Sequence, residues 1–408
     1  MFGMNDSIAA ASPRPHPGTV AEVFWVFLRL GVTSFGGPVA HLGYFREAFV
    51  ARRQWLGDRA YADLVALCQF LPGPASSKVG MAIGLQRAGF AGLLAAWVGF
   101  TLPSAVLLVA FAYGLTSLGD VSGAGWIQGL MAAAVAVVAQ AVMGMARTLT
   151  PDAKRATIAA AGMIVVLLIP SPLTQVAVIL AAALAGLFWL RAGTPAGSDE
   201  APFTVRVPRW VGLACFAVFG ALLALLPLLA ATGNPVARMV DGFYRAGALV
   251  FGGGHVVLPL LEADTVQTGL VSPDAFLAGY GAAQAVPGPL FTFAAYLGTI
   301  MNTPPNGLAG AGIALIAIFL PGTLLLLGAL PFWQQLRHAP RVQRALMGVN
   351  AGVVGILAAA LYTPVFTDGI TSIPALAVAV AAFVALLMWK VPPWVVVIAA
   401  GLIGWAVL

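Results

Sequence analysis

Charged side chains are scarce in this 408-residue chain, where Asp, Glu, Lys and Arg together make up 8% of the sequence, against about 25% in an average soluble domain. Such a low share excludes an ordinary soluble protein. The apolar residues, 61% of the chain, form runs of roughly 20 residues, the length of helix that crosses a bilayer. Alternating strand patterns are absent, which excludes a membrane barrel. The composition therefore predicts an all-α polytopic membrane protein.

Cysteines and catalytic motifs are scarce as well. Cys68 and Cys215 lie inside apolar runs, so the sequence predicts neither a disulfide framework nor a thiolate metal site. Because no zinc-protease or nucleotide-binding motif is found, we expect neither an enzyme nor a cofactor. The basic residues behind the net charge of +6 lie in loops, where membrane topology explains them, so nucleic acid is not an expected partner. Residues 1–19 lack an apolar core and are predicted to form a flexible tail.

The sequence does contain an internal duplication. Three motifs occur in the same order in both halves, and the first two stand 37 residues apart in one half and 36 in the other. This agreement predicts two related transport repeats, 20–190 and 236–408, joined over 191–235 by a linker and a connecting transmembrane helix. The matching motifs are Phe35-Gly36-Gly37-Pro38 with Phe251-Gly252-Gly253-Gly254, Gln69-Phe70-Leu71-Pro72-Gly73-Pro74 with Gln284-Ala285-Val286-Pro287-Gly288-Pro289, and Phe100-Thr101-Leu102-Pro103 with Ile318-Phe319-Leu320-Pro321.

The positions of Lys and Arg predict the topology, because cytoplasmic loops carry an excess of both. If every apolar run crossed the membrane and the N-terminus lay in the cytoplasm, the basic stretch Arg46–Arg59 would lie outside. If the Phe-Gly-Gly and Pro-Gly-Pro segments instead enter and return on one side, the basic loops all lie inside. We therefore predict about nine full spans and four re-entrant segments, with the second repeat inverted, the N-terminus in the cytoplasm and the C-terminus outside.

The glycine and proline motifs predict helix breaks, since proline removes a backbone donor and glycine adds freedom. In a membrane, freed peptide groups are tolerated only inside protein or beside a wet cavity, and paired breaks in inverted repeats indicate a transporter's binding site. Helix N-termini at such breaks suit an anion. The predicted substrate-binding backbone positions are Gly36, Gly37, Pro72, Gly73, Pro74, Gly252, Gly253, Gly254, Pro287, Gly288 and Pro289.

Two arginines and two glutamines are the predicted side-chain ligands. Arg29 and Arg245 each stand six residues before the phenylalanine of a glycine motif, and we expect both to be unpaired counter-charges for a doubly charged oxyanion. The alternative is that they snorkel to the surface or bond loop carbonyls. Gln69 and Gln284 stand three residues before Pro-Gly-Pro, where each offers its amide either to the ligand or to a neighbouring helix.

Four further side chains carry open assignments. Lys78 follows the first Pro-Gly-Pro motif and is either an interface anchor, which we favour, or a one-sided ligand. His255 follows the second glycine motif and is the preferred pore residue of the two histidines near the breaks, although a simple hydrogen-bonding role is also open. Glu47 and Glu262 occupy matching positions at segment ends, where we expect them to be solvated or paired with arginine.

Taken together, the motifs resemble those of the chromate ion transporter family, in its long-chain type with two related domains. The resemblance runs from about residue 20 to residue 400 and implies a prokaryotic inner-membrane protein that exports chromate and confers chromate resistance. A sulfate or related oxyanion carrier is the alternative, because sulfate is similar in shape and charge, and a non-transporting scaffold is a further one. Expected partners are the oxyanion, the lipid bilayer and, as an open alternative, a second copy of the chain in a homodimer.

Overall fold

The computed structural model of the chain is built from helices. It describes residues 18–117, 124–169, 171–191, 203, 205, 207–251, 254–336 and 339–408, and no strand occurs in those ranges. The predicted all-α polytopic class is confirmed. Most of the predicted N-terminal tail, together with Gly252 and Gly253, lies outside the described residues.

Among its described residues the first half contains seven α-helices, followed by one helix that connects the halves. Several begin at a residue whose side chain accepts a bond from a backbone N–H of the first turn, as Thr19 does from Glu22 at 3.1 Å, and such caps satisfy donors that the helix leaves free. The helices are Val20–Thr33 (α1), Gly37–Arg46 (α2), Asp58–Phe70 (α3), Ala75–Ser117 (α4), Gly125–Leu149 (α5), Ala153–Leu168 (α6), Pro172–Trp189 (α7) and the connecting Arg209–Ala230 (α8).

The second half repeats this order with short 3-10 and π turns at several helix ends. Asn234 and Ser272 are its side-chain N-caps at the two broken segments. The helices are Pro235–Leu249 (α9), Val257–Thr265 (α10), Pro273–Ala285 (α11), Phe293–Ile300 (α12), Gly307–Ala329 (α13), Trp333–Leu336 (α14), Pro340–Ala360 (α15), Thr367–Gly369 (α16), Ile373–Leu387 (α17) and Pro393–Val407 (α18).

The four predicted breaks are confirmed. In the first half α1 stops at Thr33 before the glycine motif, and α3 stops at Phe70 before the Pro-Gly-Pro motif. In the second half α9 stops at Leu249 and α11 at Ala285, and a 3-10 turn follows each break. Each motif therefore interrupts its apolar segment. Helix α4, which follows the first Pro-Gly-Pro motif, is itself kinked where Ala88 and Gly89 leave helical geometry.

Backbone hydrogen bonds join the breaks of the two halves. The N–H of Gly73 donates to the carbonyl of Val250 at 2.7 Å, and the N–H of Gly288 donates to the carbonyl of Ser34 at 2.9 Å. Gly73 and Gly288 are equivalent, as are Ser34 and Val250, so each Pro-Gly-Pro motif binds the residue before the other half's glycine motif. Both glycines have positive φ, +95° and +100°, which other residues adopt only with strain. The reciprocity indicates an approximate two-fold relation between the halves.

The halves also exchange their terminal helix pairs. Helix α5 of the first half packs against α17 and α18 of the second, while α15 of the second half packs against α6 and α7 of the first. Small residues make these contacts close, since a Cβ on Gly129 of α5 or on Gly348 of α15 would collide with the backbone of its neighbour. Close backbone approach through small residues is the usual basis of helix association in membranes.

Helix length bears on the predicted number of spans. Five stretches in the described part of the chain are long and apolar enough to cross a bilayer. The other four predicted spans are α6, α7, α17 and α18, which have 16, 18, 15 and 15 residues. At about 1.5 Å per residue they reach roughly 22–27 Å, less than the hydrocarbon core of about 30 Å. The count of nine full spans and the inverted orientation stay predictions. The five long stretches are Ala75–Ser117, Gly125–Leu149, Arg209–Ala230, Gly307–Phe332 and Pro340–Gly369.

Candidate anion site

A cavity of about 640 Å³ lies where the four breaks meet. Every break contributes to its wall, through Gly36, through Gly73 with Pro74, through Gly254 and through Pro289. Helices α5 and α15 supply further wall residues. The cavity is thus lined by both halves.

The cavity wall is mainly apolar, with several polar side chains and no charged ones in the part of the chain that the structure describes. None of its described residues is Asp, Glu, Lys or Arg, and its polar side chains come from α3, α4, α5, α15 and the turn after the third break. Gln69 is exposed to this space, whereas Ser76 is almost wholly buried in the wall. Neutral donors can bind an ion without an opposing charge when backbone dipoles assist them. The polar side chains are those of Gln69, Ser76, Gln140, Thr148, His255 and Asn350.

Helix N-termini supply the assisting dipoles. Helix α4 begins at Ala75, directly after Pro74, and its first turn lies in the cavity wall. Helix α2 begins at Gly37, and Gly36 at its N-cap offers no side chain to bond the first-turn N–H groups. First-turn N–H groups have no partner inside their own helix, and the positive end of the helix dipole lies beside them. The arrangement therefore favours an anion.

The two histidines near the breaks have different surroundings. His255 lines the cavity, and its Nδ1 lies 2.7 Å from the hydroxyl of Tyr280. His41 is buried behind the wall, with Nε2 3.2 Å from the Ser34 carbonyl and Nδ1 3.4 Å from the Ser76 hydroxyl. The preference for His255 as the pore residue agrees with this placement.

Arg245 is not an unpaired counter-charge, and that prediction is wrong. Its guanidinium lies 3.0 Å from a carboxylate oxygen of Asp241 and 2.6 Å from one of Asp264. Asp241 stands four residues earlier on α9, the spacing that brings side chains together on one helix face, and Asp264 belongs to α10. The guanidinium is already neutralised by two carboxylates, and Arg245 is not among the residues that line the cavity.

Arg29 is placed differently from Arg245 in spite of its equivalent position. It is exposed, and none of the described residues forms an ion pair or hydrogen bond with its guanidinium. It does not line the cavity either. The two arginines are therefore not brought together around one site.

The two glutamines also differ. Gln69 lines the cavity, but Gln284 does not, and the buried Nε2 of Gln284 has no hydrogen-bond partner among the described residues. Of the predicted site residues, those lining the cavity are Gly36, Gln69, Gly73, Pro74, Gly254 and Pro289, while those outside its wall are Arg29, Gly37, Pro72, Arg245, Gln284, Pro287 and Gly288.

The two glutamates of the repeat have unlike surroundings. Glu47 is exposed and pairs with Arg52 at 2.8 Å, as expected of a solvated or paired residue. Glu262 is only 7% exposed, and the Nε2 of Gln267 donates to its carboxylate at 3.0 Å. The expected solvated or arginine-paired state is therefore wrong for Glu262, because α10 folds back into the protein and buries it.

Comparison with known proteins identifies the family. The chromate transporter model matches residues 21–187 and 237–405, once in each half and over most of the chain. The chain belongs to the chromate transporter family. The two matched stretches correspond to the two predicted repeats, and the connecting α8 lies between them.

Relatives of this family member span nearly its whole length. It is 28% identical to the chromate transport protein of Pseudomonas aeruginosa, over 96% of this chain and 94% of the relative. It is also 28% identical to that of Cupriavidus metallidurans, over 98% and 96% of the two chains, and 27% identical to a probable chromate transport protein of Synechococcus elongatus, over 96% and 97%. No solved structure matches the chain.

Sequence reasoning missed wall residues that lie outside the repeated motifs. Gln140 lies on α5 and Asn350 on α15, each in a largely apolar helix. A lone amide in an apolar membrane helix is costly unless it has a partner or faces water, so both could have been selected on that ground. Their placement beside the breaks of this chromate transporter family member depends on tertiary packing and could not have been read from the motifs.

Proposed function

We propose that this chain carries chromate out of the cytoplasm through the cavity at the four helix breaks. The single observation that carries the proposal is that all four breaks line one cavity whose described wall residues include polar side chains but no charged ones. Family membership and the printed names of the full-length relatives support chromate as the substrate.

The cavity is much larger than the ion. A water molecule occupies about 30 Å³ of the liquid, so the 640 Å³ has room for many waters beside a tetrahedral oxyanion. The ion therefore enters with part of its hydration shell. Contact is made at the breaks, where first-turn N–H groups and the amide of Gln69 replace some of its waters. Partial rather than complete dehydration suits a carrier, which must release its substrate again.

The direction of transport is inferred from where the cavity lies along α5. Its wall includes Val137 and continues to Leu149, the last residue of this helix. Arg147, Lys154 and Arg155 lie near this end, which the distribution of basic residues assigns to the cytoplasm. We infer that the conformation described here loads its substrate from the cytoplasm.

The membrane potential supplies enough energy for export. Moving two negative charges outward across an inside-negative membrane releases about 4.6 kcal/mol per 100 mV, or more than three decades of concentration ratio, since each 1.4 kcal/mol is tenfold. Uniport of the dianion would thus empty the cytoplasm of chromate and confer resistance. Exchange with sulfate or coupling to protons is compatible with the same site but is not required.

The proposed placement is a prokaryotic inner membrane with the N-terminus in the cytoplasm and the C-terminus outside. Repeats 20–190 and 236–408 form the two inverted transport units, and 191–235 joins them. The reciprocal bonds between the breaks support this arrangement. A homodimer stays an open alternative.

Sulfate transport is the second candidate, because the wall offers neutral donors that suit either dianion. A scaffold without transport is less supported, since it has no need of four breaks around a polar cavity. Counterflow separates the three: proteoliposomes preloaded with unlabelled chromate should accumulate labelled chromate. A second set preloaded with unlabelled sulfate is tested with labelled sulfate. Counterflow in the sulfate set alone would identify a sulfate carrier, and counterflow in neither set would contradict transport.

A further inference from the structure

Lys78 is a fully buried cation at the edge of the cavity. Its residue has no exposed surface, and it lies one turn into α4, directly after the first Pro-Gly-Pro motif. Its Nζ donates to the carbonyl of Leu71 at 2.6 Å and to that of Pro72 at 2.8 Å. Both carbonyls belong to the segment between α3 and α4.

No carboxylate neutralises this ammonium. Among the described residues no Asp or Glu forms an ion pair with Lys78, and α13 packs close to its side chain at Gly322. Burying a charge without a counter-charge is expensive, because the carbonyl dipoles replace only part of the lost hydration. The ammonium is therefore short of one negative charge.

The cavity adjoins the segment between α3 and α4 that Lys78 binds. Leu71, Gly73 and Pro74 line the cavity, and Leu71 also supplies one of the two carbonyls that Lys78 binds. We propose that Lys78 supplies the positive charge that binds the oxyanion, acting across the first Pro-Gly-Pro motif as a specificity-determining residue. The inference rests on the proposed function and deepens it by locating the counter-charge.

The charge is present in one half only. The equivalent position in the second half is Phe293, which is fully buried. Its ring stacks on Tyr296 and meets Phe276 and Tyr280 edge to face. The anion is therefore drawn towards the first Pro-Gly-Pro motif, where Gln69 also lines the wall. This asymmetry accounts for one anion site in a chain with two repeats.

A purely structural role is the competing explanation. Lys78 bonds the last carbonyls after α3, and such capping by lysine stabilises a helix C-terminus. The two roles differ in how binding depends on the anion's charge. A Coulombic contribution to binding is proportional to the charge of the anion, whereas loss of a helix cap affects anions of the same shape alike.

The test compares two tetrahedral anions, chromate with charge −2 and perchlorate with charge −1, by titration calorimetry on the purified full chain at a pH where chromate is a dianion. In Lys78→Met we expect chromate affinity to fall about 100-fold, the order of effect for losing a charged partner at a buried site. Perchlorate affinity should fall by only the square root of that factor, about tenfold. Lys78→Arg should retain most of both affinities.

Controls keep the outcomes separable. Lys390→Met makes the same substitution at an exposed site and should leave both affinities unchanged. Lys78→Gln removes the charge but keeps a donor for the carbonyls, and it replaces the Met variant if that one does not fold. Equal losses for both anions, or no loss for either, would overturn the inference while leaving the proposed function intact. Wild-type protein that binds neither anion would instead contradict the proposed function.

Discussion

Replacing Arg245 by alanine should destabilise the protein rather than remove a substrate contact. The change leaves Asp241 and Asp264 as buried carboxylates without a cation, and their side chains are only 10% and 13% exposed. Removing one partner of a buried ion pair typically costs about 3–5 kcal/mol. Because the Arg245 side chain is 24% exposed, we expect the lower end of that range, about 3 kcal/mol.

The assay is unfolding of the detergent-solubilised protein by heat or denaturant. Chromate binding is measured separately on the folded protein. Arg29→Ala is the matched control, since this arginine is exposed and its guanidinium has no ion pair with the described residues. It should leave stability close to wild type. Adding Asp241→Asn and Asp264→Asn to Arg245→Ala should restore much of the lost stability, because no buried charge then remains unpaired.

Two results would refute this reasoning. One is an Arg245→Ala variant that has wild-type stability but no longer binds chromate. That result would identify Arg245 as a substrate ligand. The other is a triple variant no more stable than Arg245→Ala, which would mean that lost packing, and not the unpaired carboxylates, is the cause.

Three further predictions concern the breaks and the cavity. Gly288→Ala should reduce transport strongly, because φ is +100° and the new Cβ would lie 3.0 Å from the Ser104 hydroxyl. Gly43→Ala, where a Cβ meets open space, should have no effect; similar flux in the two variants would contradict this. Gln69→Leu should weaken chromate binding about tenfold, the order of one hydrogen bond to a charged group, whereas Gln284→Leu should change affinity little; calorimetry with the reverse order would exclude Gln69 as a ligand. Outward chromate flux should rise with an imposed inside-negative potassium diffusion potential, and flux independent of that potential would indicate electroneutral exchange.

The helix breaks could be predicted from the sequence because their cause is local. The prolines of the motifs cannot continue a helix, and the glycines at Gly36, Gly73 and Gly288 allow a positive φ, wherever the chain folds. The same motifs recur in both halves, so they are not a chance match. The bonds from Gly73 to Val250 and from Gly288 to Ser34 were beyond such reasoning. They depend on how the halves pack, and no local pattern encodes that packing.

The side chains of the site were predicted less well, for two different reasons. Asp241 lies four residues before Arg245, so this pairing was visible in the sequence and a search of the same helix face would have found it. Asp264 lies nineteen residues away and reaches Arg245 only because α10 folds back beside α9. Matching positions in a repeat predict equivalent backbone, but Arg29 and Arg245 show that they do not predict equivalent partners.

The exchange of terminal helices has a consequence for biogenesis. Helix α5 leaves the ribosome long before α17 and α18, the helices that cover it. At about 5–20 residues per second, the chain from Leu149 to Leu408 takes roughly 13–52 s to synthesise. During that time the glycine face of α5 around Gly129 meets lipid or an insertion chaperone instead of its final neighbour. Loss of α18 by truncation would leave the face of α5 around Gly129 without its final neighbour. The packing of α5 therefore depends on a helix that is synthesised much later.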